Sequence, residues 1–331
     1  MKLSQLDRTK VLSTALVNAY GPMSLTRKWV SRVDTYETRA ARRLVRALHS
    51  GGPDVLYLGD STNYPFVADG DIRPIATMLR RSLRLRSMLF LGNAGYHAGL
   101  WDAYLSLVES TTVRPVIVSS LVNRMYVDTW RRHPAYTYAE EADAIRRLDP
   151  AKHFVPRMPK PTPNPEEFTR FRELPYRTLL GEFPVGHYLK QLRRNDLSEV
   201  EKSRWWYAYL HGSEVSDGPA LAQLRQMGKT LSKLGSPVIA YQGPVCVQVG
   251  TKLLGAEFKD LTERNFQIVE STFADAVGKR CTMLRTGMIF EPQQFNDASD
   301  GVEHLNGVGR RKLASMIADG LRPHLSAASR S

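Results

Sequence analysis

The sequence predicts an α/β protein built on a doubly wound, five-stranded parallel sheet with a helical insertion. Three observations predict it. Short apolar runs alternate with segments of helical periodicity, the pattern of successive βαβ units. Most of the runs stop at small, polar or glycine-containing residues, as strands do at their loops. The rhythm breaks after residue 123 and resumes near residue 235, as expected for an insertion into one sheet.

Residues 1–50 read as a basic, helical N-terminal extension ending at the breaker Ser50-Gly51-Gly52-Pro53. Within it, Val11, Leu12, Ala15, Leu16 and Ala19 recur at helical spacing. Ser13, Thr14 and Asn18 interrupt the stretch, so it reads as a docked amphipathic helix rather than an export signal. Val55-Leu56-Tyr57-Leu58 is the first strand, followed by a polar loop to Asp71 and a helix over 72–85. Met88-Leu89-Phe90-Leu91 is the second, leading into the glycine-rich stretch 92–99 and a helix over 100–108. Pro115-Val116-Ile117-Val118 is the third, running on to Asn123. Residues 124–234 contain no comparable strand and read as a helical cap. Prolines at 156, 159, 161, 163 and 165 make an extended crossing there that cannot be helix interior. A helix over 199–211 carries Trp205, Trp206, Tyr207 and Tyr209, read as core, with a flat pocket wall as the alternative. Residues 237–241 and 282–284 supply the last two strands, with a helix over 259–277 between them and a final helix over 309–321. The chain thus divides into the extension 1–50 and an α/β domain 51–331 interrupted by the cap.

At 331 residues, with 42% hydrophobic and 24% charged, the chain can bury a sizeable core. No run reaches the 18 or so apolar residues of a spanning helix. The net charge of +13 is dominated by arginines at 39, 42, 43 and 46, then 80, 81, 84 and 86, then 193 and 194. Such faces suit solvent, an anionic polymer or a membrane surface. No nucleic-acid motif accompanies them, so sequence-specific nucleic-acid binding is not expected. Cys246 and Cys281 read as buried thiols in strand-like runs in a reducing compartment, and no zinc spacing occurs. These features predict a cytoplasmic protein, with peripheral membrane contact through its arginine faces as a further expectation, and no metal or redox cofactor.

The chemistry-bearing residues converge on one reading. Serine catalysis needs a hydroxyl, a base, a group that orients the base, and donors for the oxyanion. Ser61 follows the first strand in Gly59-Asp60-Ser61, at the edge where open α/β sheets bind ligands. His304, in the loop before the last helix, is the base, and Asp300 the group that orients it. Asn123 closes the third strand and offers a side-chain amide. Gly95 and Gly99 allow close backbone approach and N–H donation. Gly95 and Arg124 are also candidates for substrate binding. His97 reads as a bystander, and His187 and His211 as structural.

In this order the pieces resemble the SGNH (GDSL-type) hydrolase superfamily. Gly59-Asp60-Ser61 matches the nucleophile block, Asn93-Ala94-Gly95 with Gly99 the glycine block, Asn123 the asparagine block, and Asp300 with His304 the last block. The resemblance spans about 53–123 and 235–321. It implies a flavodoxin-like five-stranded α/β/α sandwich and an esterase, lipase, carbohydrate deacetylase or O-acyltransferase. The implied oxyanion donors are Ser61, Gly99 and Asn123. Three departures stand out. Ala98 occupies the position of the second glycine, leaving the acting amide open. Ser120-Leu121-Val122-Asn123-Arg124 lacks the usual glycine and aspartate. Asp300 lies four rather than three residues before His304, which leaves Asp297 and Glu303 as alternative orienting acids. The Asn123-Arg124 pair and the segment Glu303-His304-Leu305-Asn306 with Gly309-Arg310 look more like the branch tied to bacterial polysaccharide acylation than like secreted lipases. The expected substrate is an acylated small molecule or glycan, with hydrolysis and transfer both open. The contrasting expectation is a catalytically silent module that holds an anionic polysaccharide or a membrane surface.

Overall fold

A computed structural model describes residues 36–65, 70–93, 95–127, 138–148, 198–299, 301 and 303–328. The predicted helix over 11–20, the proline crossing 156–165, His187, Arg193 and Arg194 lie outside these residues, as does Asp300.

All five predicted strands are present: β1 (Val55–Asp60), β2 (Met88–Asn93), β3 (Val116–Leu121), β4 (Val238–Gln242) and β5 (Cys281–Leu284). They form one sheet in the order β2-β1-β3-β4-β5, and every pair is parallel. The central strands β1, β3 and β4 are buried along their whole length, whereas the edges β2 and β5 are largely half-exposed. Continuous apolar runs, rather than alternating ones, are what a sheet covered on both faces requires.

Nine helices lie among the described residues: α1 (Tyr36–His49), α2 (Ile75–Ser82), α3 (Ala98–Glu109), α4 (Ala139–Arg146), α5 (Glu199–His211), α6 (Pro219–Leu234), α7 (Val247–Leu254), α8 (Glu257–Val277) and α9 (Gly307–Ala328). One core joins Leu56, Leu58 and Ile117 of the sheet to α1, α3 and α6. The other joins Val55, Tyr57 and Ile239 to α2 and α9. This is the doubly wound α/β sandwich expected from the sequence. None of these helices is long and apolar enough to cross a membrane.

Two predicted domain boundaries move. Residues 36–49 are not an extension: Ala40, Ala41, Leu44, Val45 and Leu48 form a buried stripe of α1 within the first core. Nor is 219–234 part of a cap. Helix α6 starts with Pro219, ends at left-handed Gly235, and packs on the sheet between α3 and α8. At Gly228 a side chain would meet Ala276 Cβ of α8 at 2.5 Å, so the glycine permits that close approach. The predicted helix over 72–85 shortens to α2 because Pro74 is its N-cap. Cys246 precedes α7 rather than lying in a strand, and both cysteines are free thiols.

Candidate active site

The chain passes from β1 to β2 on one side and then returns to β3 on the other side of β1. The sheet therefore has a switch point between β1 and β3, the place where open α/β sheets bind ligands at the C-terminal ends of their strands. Ser61 and Asn123 leave the two strands that flank it. Ser61 opens a 3-10 turn (Ser61–Asn63) capped by Asp60, whose Oδ1 accepts from Thr62 N at 3.2 Å and Thr62 Oγ1 at 2.6 Å. Asn123 opens a second turn (Asn123–Tyr126). Ser61 is half-buried.

His304 arrives from the far end of the chain. Leu305 pairs antiparallel with Phe295, and Asn296 N donates to the His304 carbonyl at 2.9 Å. Asn306 Oδ1 then accepts from Val308 N at 3.0 Å and Gly309 N at 3.1 Å, capping α9. Buried Arg310 donates to the Leu305 carbonyl at 2.7 Å and to the Arg73 carbonyl at 3.2 Å. The His304 backbone is thereby held to both the preceding loop and the first turns of α9.

A buried ion cluster joins the three segments. Arg124 Nη2 lies 3.1 Å from Asp60 Oδ2, and Arg124 Nη1 contacts Glu303 Oε2. His211 Nε2, from α5, lies 3.6 Å from Glu303 Oε1 and donates to the Gly301 carbonyl at 2.9 Å. Burial lowers the His211 pKa to about 4, while the bond to Gly301 opposes this. Burial raises the Asp60 carboxyl, and Arg124 and Thr62 pull it back down. Tyr207 of α5 adds a bond to the Ala298 carbonyl at 2.6 Å, so α5 grips the acid loop twice. The aromatic residues Trp206, Tyr207 and Tyr209 are buried, in keeping with their reading as core.

This geometry sorts the candidates. Arg124 was a substrate-binding candidate, but it is 2% exposed and its fork is taken up by two carboxylates. Glu303 is committed to Arg124. Asp297 is exposed and accepts from Ser299 N at 2.9 Å in a local turn. The third acid, Asp300, lies outside the described residues. Gly99 is the clearest correction. Its N–H donates to His97 Nδ1 at 3.1 Å, making His97 the N-cap of α3. A side chain at Gly99 would meet Gln223 Oε1 at 2.7 Å, so this glycine serves the packing of α3 on α6. Gly95 instead has φ +73° in the turn after β2 and is buried. Asn123 Nδ2 makes a long 3.5 Å bond to the Thr262 carbonyl of α8, and the amide carries a second N–H.

A neutral cluster lies beneath the same turn. Tyr57 donates to Asn63 Oδ1, the Tyr57 and Tyr241 hydroxyls are 2.8 Å apart, and Asn63 Nδ2 donates to Tyr241 at 3.3 Å. Burial pushes the Tyr241 hydroxyl up to about 12, so it stays protonated. Neither cluster was anticipated from the sequence. Among the described residues no three His, Cys, Asp or Glu side chains gather as a metal site would. Comparison of the chain with protein-family models finds no match, and comparison with curated proteins finds none either.

Proposed function

We propose that the protein carries out serine-dependent ester chemistry on an acylated substrate, with Ser61 as nucleophile. The observation that carries this reading is the convergence at the sheet's switch point. Ser61 and Asn123 leave the two flanking strands there, and Arg124 bonds to the neighbour of Ser61 and the neighbour of His304. The resemblance of these same blocks to SGNH hydrolases supports it.

The Ser61 hydroxyl oxygen attacks the ester carbonyl carbon as its proton passes to His304, which Asp300 orients. Negative charge develops on the carbonyl oxygen, and the Ser61 and Gly95 amides with the Asn123 side chain stabilise it. The carbon–oxygen bond to the leaving alcohol breaks, and that alcohol takes the proton from His304. Water or a sugar hydroxyl then gives its proton to His304 and attacks the acyl-serine. The bond between the acyl carbon and Ser61 Oγ breaks, Oγ takes that proton back from His304, and a carboxylic acid or a new ester is released. An O-acylated carbohydrate is the substrate class we favour.

The test is turnover of p-nitrophenyl acetate together with labelling by a fluorophosphonate. Wild type should turn over and gain the label on Ser61, and Ser61→Ala should do neither. Equal rates for the two proteins would reject the reading. Mass spectrometry with an acetyl donor and a glycan separates the two outcomes: mass gained by the glycan means transfer, and mass lost from an acetylated glycan means hydrolysis.

A further inference from the structure

We infer that Arg124 is a positioning residue of this site, holding the peptide that carries Ser61 in register with the peptide that carries His304. The inference rests on the ester-chemistry reading above. Asp60 precedes Ser61, Glu303 precedes His304, and Arg124 itself follows Asn123. One cation therefore lies a single residue away from the nucleophile, the base and the side-chain oxyanion donor.

The chemistry of the cation suits the task. A planar guanidinium presents donors in a rigid fork and can serve two carboxylates at once, which a single ammonium does with far less geometric control. Arg124, Asp60 and Glu303 are 2%, 0% and 1% exposed, so solvent neither screens the contacts nor competes for them. The second oxygen of Asp60 is also occupied, Oδ1 accepting from Thr62 N and Thr62 Oγ1, while His211 Nε2 stands 3.6 Å from Glu303 Oε1. Each carboxylate is thus oriented by the shared guanidinium, Asp60 by Thr62 as well, and through its backbone so is the next residue. A buried ion cluster is a poor source of net stability, because desolvation offsets most of its attraction. Its value here lies in geometry.

The experiment uses the full chain, p-nitrophenyl acetate kinetics, fluorophosphonate labelling of Ser61 and thermal unfolding. The variants are Arg124→Lys, Glu303→Gln, and the neutral triple variant Asp60→Asn with Arg124→Met and Glu303→Gln. For Arg124→Lys and the triple variant, kcat should fall about 100-fold, the scale of an ångström-sized misplacement of reacting groups. KM should stay near its wild-type value, and the labelling rate should fall in parallel with kcat. Glu303→Gln, which keeps volume and the Asp60 contact, should show a smaller loss in the same direction. A merely structural role would lower the unfolding temperature while folded protein kept wild-type kcat, and that result overturns the inference. Should Arg124→Lys and the triple variant not fold, wild-type kcat in Glu303→Gln overturns it equally. Active wild type with unimpaired variants rejects the positioning role alone. A wild type that neither turns over nor labels rejects the ester chemistry and the positioning role together.

Discussion

The Ser61 turn stands on two buried polar clusters of opposite character. On one side Asp60, Arg124, Glu303 and His211 form a charged cluster that spans three distant chain segments and α5. On the other, Tyr57, Asn63 and Tyr241 form a neutral cluster that ties the turn to β1 and β4. Alternation along β1 sends Asp60 to the face of Leu56 and Leu58, and Tyr57 to the opposite face. Losing one hydroxyl of the neutral cluster leaves a neutral acceptor unpaired, at modest cost. The charged one is all or nothing, because removing one member leaves an uncompensated charge away from water. The turn is thus anchored softly from one face and rigidly from the other.

The largest expected effect breaks the charged side. Arg124→Met leaves the Asp60 and Glu303 carboxylates buried without their cation, and urea unfolding should register a loss of about 3–5 kcal/mol. A loss under about 1 kcal/mol would mean that the two carboxyls relax or protonate cheaply, contrary to this description. Neutralising all three members should recover much of that loss, since the desolvated charges leave together.

Acid should attack the same side. The folded pKa of His211 lies at about 4, below the ordinary value of 6.5, so the unfolded chain binds the extra proton between those values. Stability from this group is complete above pH 6.5 and is lost as pH falls toward 4, by about 3 kcal/mol. The nearby Glu303 does not reverse this, because Arg124 takes up its charge. Measuring wild type against His211→Gln from pH 7 to pH 4.5 isolates the effect and cancels the opposing titration of Asp60. A constant difference across that range would contradict it.

The neutral side should respond less. Tyr57→Phe removes one hydroxyl and leaves Asn63 Oδ1 without its donor, for about 1–2 kcal/mol by urea unfolding. A loss as large as that of Arg124→Met would erase the contrast between the clusters. The glycine loop gives the smallest pair. Gly95→Ala forces a side chain into left-handed backbone and should cost about 1–2 kcal/mol. Gly99→Ala should stay within about 1 kcal/mol of wild type, because a gain in helix propensity offsets displacement of the flexible Gln223 end. It also keeps the N–H that His97 accepts, so a large effect on p-nitrophenyl acetate turnover would return Gly99 to the oxyanion site.

Much of the fold was legible in the chain. Apolar runs such as Val55–Leu58 and Pro237–Tyr241 are continuous because both faces of the central strands are covered, and continuity is visible in one dimension. The start and stop signals of α6 were also present, in Gly218-Pro219 and Gly235, yet the surrounding cap reading absorbed them. At the site, residue types and order were readable at Ser61, Asn123 and His304. The capping role of His97 could have been found from its place just before the apolar helix. The pairing of Arg124 could not, since its partners lie far away along the chain on both sides.

By itself, the sequence determined the strands of the sheet and the residue types that stand at their ends, because hydrophobic continuity and side-chain type are local properties. The tertiary structure alone decided three things. It decided that Gly99 spends its amide on a helix cap, that Arg124 faces two carboxylates instead of solvent, and that Asp297 and Glu303 are already engaged. Each depends on the partner a polar group meets in a dry interior. An unpaired buried donor or charge is costly enough that the fold assigns nearly every one of them a partner.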